Sequence, residues 1–267
     1  GAVLVWSDQR AGVTDKDIYA QRISSSGELL WGESGIAICI TSGTQERPMV
    51  VADSHGGFVV YWVDARAGMP SYSQVYAQRL DASGARSWDS GGVLVSGMIL
   101  DDAVPGFGLD DAGDSYFSWT EERVGIDHVV CAQKLSLDGT RLWGGTGVIV
   151  CDSLAYPYDS AVAPTPGGGA IVAWSMYFAD ENDPSSIFAQ RLGGDGGPLW
   201  DPNGIELYTE VDKNSDLAMT AGDDGGAWIV WRSFVPISGE TKVDLELDML
   251  YVDTLGITTG QPASDSI

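Results

Sequence analysis

Clustered carboxylates can hold a hard cation, pass protons across a glycosidic bond, or simply keep a surface hydrated. This sequence carries 38 Asp and Glu against 14 Lys and Arg, for a formal net charge of −24. Many of the acids fall in two sets of variable loops. "TSGTQER", "SGMILDDAV", "CDSLAYPYD" and "YTEVDKNSD" contribute Glu46, Asp101, Asp102, Asp159 and Asp216, among others. "DQRAGVTDKD", "EERVGID", "MYFADENDPSS" and "SFVPISGETKVD" add Asp15, Asp17, Asp127, Asp180, Glu181, Asp183 and Glu240. Gathered on one face, such groups raise one another's pKa or recruit a cation. Ca²⁺, with its six to eight oxygen ligands, is the ion such loops would take, although no loop shows Asp-x-Asp-x-Asp-Gly spacing and no cofactor is required. Glu46, Asp102, Asp159 and Asp216 stand at related positions, so a glycosidase pair, roughly 5 to 9.5 Å apart, can be drawn from them. The loop aromatics Tyr156, Tyr158 and Tyr177 could stack on sugar rings. The plainer account is a set of solvated turns.

Several classes are excluded. A polyanion such as DNA or RNA is repelled by this charge. No nucleophile elbow, phosphate loop or triad signature occurs. Three cysteines make no disulfide framework, and His55 and His128 read as a turn residue and a strand start, with no zinc cluster near them. No apolar run approaches the roughly 18 residues of a membrane span. The chain opens in mid-pattern, so any export signal is expected upstream of it or already removed.

What positions the loops is a repeat. Trp6, Trp62, Trp119, Trp174 and Trp231 recur about every 56 residues, and Trp31, Trp88, Trp143 and Trp200 form a second series. One period reads as four strands: "RPMVVAD", "FVVYWVDAR", "QVYAQRLDASG" and "RSWDSGGVLVSG". No segment keeps a 3.6-residue period with caps. The fold is therefore expected to be all-β, a β-propeller of about 55-residue four-stranded blades. As a single domain over residues 1–267, its units run approximately 1–56, 57–113, 114–168, 169–225 and 226–267. Aromatics fill the space between blades. Gly27, Gly84, Gly139 and Gly196 turn, and Trp31 with its equivalents staples the outer strand. Gln21 and Arg22 with their copies make hydrogen bonds or ion pairs within the blade. The strand count leaves two readings open: five blades closed by residues 256–267 beside Val3 and Val5, or a piece of a longer propeller.

The hairpins "SDQRAGVTDKDIYAQRISSSG" and "VDARAGMPSYSQVYAQRLDASG" resemble the Asp-x-Arg-x-Gly…Asp-Ile-Tyr…Asp-x-x-Gly unit of TolB-like repeats. The whole period resembles longer repeats of secreted bacterial multi-blade proteins. The resemblance implies an exported propeller, secreted, periplasmic or at the cell surface, and carries over no catalytic residue. Later copies drift: "SMYFADENDPSSIFAQR" loses the acid–Arg pair, and "VDLELDML" loses Ala-Gln-Arg. These readings give a non-catalytic binding or structural scaffold with an acidic ligand face. Its partner would be a protein or glycan at the channel mouth. A glycan-binding lectin comes second and a five-bladed glycosidase third.

Overall fold

The computed structural model describes residues 1–10, 15–68, 72–97, 99–100, 105–123, 126–152, 156–177, 185–209, 215–236 and 243–259. Among the described residues every regular element is a strand. The first sheet holds β1 (Ala2–Asp8), β2 (Asp17–Ile23) and β3 (Ile36–Cys39). The second holds β4 (Gln45–Ala52), β5 (Phe58–Asp64), β6 (Tyr72–Leu80) and β7 (Val93–Leu94), with β8 (Ile99–Leu100) also pairing β6. The third holds β9 (Gly106–Leu109), β10 (Ser115–Arg123), β11 (Ile126–Leu135) and β12 (Val148–Cys151). The fourth is β13 (Tyr156–Thr165), β14 (Gly169–Tyr177), β15 (Ser186–Leu192) and β16 (Ile205–Thr209). The fifth is β17 (Ser215–Ala221), β18 (Ala227–Pro236), β19 (Val243–Val252) and β20 (Thr258–Thr259). Apart from β8, strands pair with their neighbours in chain order, so each sheet is a meander. Thr258 and Thr259 pair with Val252 and Tyr251, completing the fifth sheet, and the rest of the expected closing segment, residues 260–267, lies outside the described residues.

The chain divides into two compact units. One comprises residues 1–102, 111–115 and 135–141, and the other residues 103–110, 116–134 and 142–267. Each is held by tryptophans of the first series lying between sheets. In the first unit Trp62 is fully buried with Val3, Val5, Ile18 and Ala20. In the second, Trp174 packs with Tyr116, Val130 and Trp143, and Trp231 with Ile171, Ala173 and Ile187. A buried indole N–H needs an acceptor. The acid two residues on supplies it: Trp6 donates to Asp8 at 3.0 Å, Trp62 to Asp64 at 2.8 Å and Trp119 to Glu121 at 2.8 Å. Arg66 then bonds Asp64 at 2.6 Å and lies 3.7 Å over the Tyr76 ring. This accounts for the Asp-x-Arg spacing. The turn opposite Trp119 must be glycine, because at Gly147 (φ 84°) a Cβ would sit 2.6 Å from the indole.

The expected glutamine role is present in four copies. Gln21, Gln78, Gln133 and Gln190 accept the backbone N–H of Trp31, Trp88, Trp143 and Trp200 at 2.9, 2.9, 3.0 and 3.0 Å. Their amides donate to the next residue's carbonyl, as Gln133 does to Gly144 at 2.9 Å. The second tryptophan series does more than staple its own outer strand. Trp88, Trp143 and Trp200 donate their indole N–H to Leu137, Gly194 and Thr254 in the following repeat's turn, at 3.0, 3.1 and 3.3 Å.

Candidate functional site

The starts of β4, β13 and β17 share one local distortion. Glu46 pairs with Val63, Tyr158 with Ser175 and Ser215 with Arg232; the next residue in each strand then breaks the ladder. That residue is Arg47 (φ 53°), Asp159 (φ 35°) or Asp216 (φ 58°), held in the left-handed region. An extra residue in one strand bends it and re-aims the side chain, and Asp tolerates the positive φ better than most residues. Sequence spacing had set Glu46 in line with Asp159 and Asp216. The register corrects this: Arg47 is their equivalent, and Glu46 corresponds to Tyr158. Glu46 is instead ion-paired with Lys16 at 2.8 Å in the first unit.

In the second unit the remaining candidates converge. Asp159 accepts the backbone N–H of Asp216 on Oδ2 at 2.9 Å, and the Asp216 carboxylate pairs with Arg232 at 2.5 Å. Burial pushes the Asp159 carboxyl above the ordinary aspartate range, with the negative charge of Asp216 adding to the rise, while the Asp216 N–H and Arg232 oppose it. Tyr177 lies beside this pair, its phenol pushed up to about 12 by burial first, then by Asp159, Tyr158 and Asp216. The Tyr158 and Tyr177 rings are 5.8 Å apart, and Tyr156 meets His128 edge-on at 5.4 Å. Tyr156 and Tyr158 are 43% and 53% exposed, large for aromatics projecting from a strand. The cluster thus offers a half-buried carboxyl with a raised pKa, an ion-paired carboxylate, a phenol and an open aromatic surface.

Arg232 and His128 were not singled out as site residues by the sequence. For Arg232 a signal exists: the residue after each first-series tryptophan is Ser7, Val63, Thr120, Ser175 and Arg232, and only the last is charged. His128 gives no such signal; its Nδ1 is buried without a partner among the described residues. Asp101 and Asp102 lie outside the described residues, as do Asp180, Glu181, Asp183 and Glu240. Among the described residues no three His, Cys, Asp or Glu side chains converge as a metal site. The Asp-rich turns have local work: Asp53 accepts the N–H of His55 and of Gly57 at 2.9 and 2.7 Å. The three cysteines are free and buried.

No family model and no curated protein matches the chain by sequence. Solved structures do match by fold. An ulvan lyase from a new family of polysaccharide lyases aligns with a TM-score of 0.54 and 11% identity, over 97% of this chain and 68% of its own. The family 43 glycoside hydrolase YxiA of Bacillus licheniformis aligns with a TM-score of 0.50 and 15% identity, over 83% of this chain and 60% of its own. A Penicillium chrysogenum α-L-arabinanase complexed with arabinobiose gives 0.50 and 14%, over 82% and 66%. This chain therefore spans about 60 to 68% of these proteins' lengths. With its repeated antiparallel meanders, the likeness defines the fold as an all-β propeller with five blades. The multi-blade propeller stands, and the narrower TolB-like kinship finds no support in these matches. The expectation of a non-catalytic scaffold is contradicted by these matches: the three named structures of this fold are a polysaccharide lyase, a glycoside hydrolase and an arabinanase. Among the described residues no helix is long and apolar enough to cross a membrane.

Proposed function

We propose that this propeller binds and cleaves a polysaccharide, with the sugar resting on Tyr156 and Tyr158 at the start of β13. The observation that carries the reading is the Asp159–Asp216 pair beside those exposed rings. Glycoside cleavage needs one carboxyl that keeps its proton and one that stays ionised. Burial raises the pKa of the half-buried Asp159, the direction a proton donor needs, and Arg232 lies in contact with the Asp216 carboxylate. Asp159 would donate to the leaving oxygen while Asp216 stabilises positive charge or activates water. The tyrosines give the sugar's apolar face a surface, as aromatics do in carbohydrate sites generally. A net charge of −24 favours a neutral glycan over a sulfated or uronate-rich one, which the same field would repel.

The test is reducing-sugar release from neutral and acidic plant and algal polysaccharides, with binding measured in parallel on a glycan array. Release from a neutral polysaccharide that Asp159→Asn abolishes, with binding retained, supports the assignment. Binding that Tyr158→Ala abolishes, with no release from any polysaccharide, leaves a lectin and removes the catalytic role. Neither binding nor release overturns the whole reading.

A further inference from the structure

The two exposed tyrosines of β13 do not share one place. Tyr156 and Tyr158 stand two residues apart with the buried Pro157 between them, so both project from the same face of the strand. Two residues advance a strand by about 6 to 7 Å, close to the length that one sugar adds to a glycan chain. Asp159 follows Tyr158 directly. The order along β13 is therefore the carboxyl, a first ring beside it, and a second ring one step farther out. Each ring is braced by another. Tyr177 lies 5.8 Å from Tyr158 at an interplanar angle of 52°, and His128 of β11 lies 5.4 Å from Tyr156 at 65°. Tilted and edge-on contacts of this kind are favourable between aromatic rings. A ring already held in place has less freedom to lose when a ligand settles on it. All these residues belong to the second unit.

The repeat does not require these rings. In the second sheet the equivalents of Tyr156 and Tyr158 are Thr44 and Glu46, and in the fifth Ser215 stands where Tyr158 does. Counting back three residues from Tyr19, Tyr76, Cys131 and Phe188 gives Lys16, Ser73, His128 and Ser185. Rings thus replace polar residues at separate positions of two successive copies, and the replacements touch. We infer that Tyr156, positioned by His128, forms a second sugar subsite beside that of Tyr158, so that the protein grips two consecutive units of one neutral glycan chain. This subsite rests on the glycan site proposed above and adds its direction and length. The chain runs from the Asp159–Asp216 pair along β13 toward His128 of the third sheet. A substrate needs at least three units to fill it, two on the tyrosines and one across the bond to be cleaved.

Titration calorimetry tests this with length-graded gluco-, manno-, xylo- and arabino-oligosaccharides, from methyl glycoside to tetrasaccharide. In a series that binds, the tetrasaccharide should bind about threefold to tenfold more tightly than the methyl glycoside, the worth of one added ring contact. Tyr156→Ala and His128→Ala should lose that gain and keep the affinity for the methyl glycoside. His128→Phe, which keeps a ring edge against Tyr156, should retain the gain. Circular dichroism and melting check folding; should His128→Ala not fold, the exposed Tyr156 decides the subsite and His128→Phe the bracing. Affinity independent of chain length, or a gain that survives Tyr156→Ala, overturns the inference. A gain lost in His128→Phe as in His128→Ala overturns the positioning role. Length-dependent binding without sugar release removes the catalytic reading and leaves the subsite standing, whereas no binding in any series removes both.

Discussion

Asp159 has a pKa raised mainly by burial, and that makes two pH effects predictable. The folded state holds the proton more tightly than the unfolded chain. As pH rises, the unfolded form therefore ionises first, and the residue's contribution to stability falls between its unfolded and folded pKa values. As a proton donor it also loses its function through the upper end of that window. Asp159→Asn should flatten the fall in stability as pH rises through that window and slow glycan cleavage about 100- to 10,000-fold, read from melting and rate profiles across pH. Asp53 behaves in the opposite sense. Burial works to raise its pKa, but the N–H groups of Gly57 and His55 and the Arg79 guanidinium, 2.7 Å away, outweigh it and hold the carboxyl low. Its contribution is present above the unfolded aspartate pKa of about 3.9 and lost as pH falls through the lower, folded value. Asp53→Asn should therefore lower stability at neutral pH and make acid unfolding less steep, measured by urea titration at several pH values. Trp119, fully buried and bonded to Glu121, should cost about 3 to 5 kcal/mol on replacement by Ala. An unchanged melting temperature would show that the indole is not the wedge it looks like.

The sheet is the scale at which the sequence speaks most plainly, because copies of one phrase expose what packing demands. Trp62, Gln78 and Trp88 each recur at fixed spacing, and each does the same job in every copy where its partners survive. The Gln clamp satisfies the buried N–H of Trp88 or Trp143 and a carbonyl on the exposed residue that follows it. Gln133→Leu should cost about 1 to 3 kcal/mol for the buried Trp143 N–H left unsatisfied, and Gln78→Leu a similar amount, both readable from chemical denaturation. Less legible was anything that depends on register. The one-residue distortion that turns Asp159 and Asp216 aside has no signature in composition, and counting along the chain placed Glu46 in their row instead of Arg47. Drift was the better guide to the site. In the fourth and fifth copies the acid that caps the indole becomes Met176 and Ser233, and Trp174 and Trp231 have no Nε1 partner among the described residues. The fourth and fifth sheets, which hold those two tryptophans, also supply Asp159, Asp216, Tyr177 and Arg232. Where the repeat gives up its structural acid, chemistry-bearing residues have come in.

At the scale of the whole chain, charge is the dominant fact. A net charge of −24 spread over 267 residues opposes compaction through self-repulsion, which dissolved ions screen over a Debye length of about 8 to 10 Å near physiological salt. Raising NaCl from low to physiological concentration should therefore raise the melting temperature. Calcium then separates diffuse screening from a specific site. A cation that binds the folded state at one site adds stability by mass action, about 2.7 kcal/mol at a hundredfold excess over its dissociation constant, on top of screening. The paired carboxylates at the candidate site are already engaged, Asp159 with the Asp216 N–H and Asp216 with Arg232. Ca²⁺ and Na⁺ at matched ionic strength should accordingly give the same rise in melting temperature, and the Asp159→Asn protein should respond to both as the wild type does. An additional rise with Ca²⁺ that Asp159→Asn removes would show that the pair binds metal, and would assign to the ion the positive charge that Arg232 supplies here.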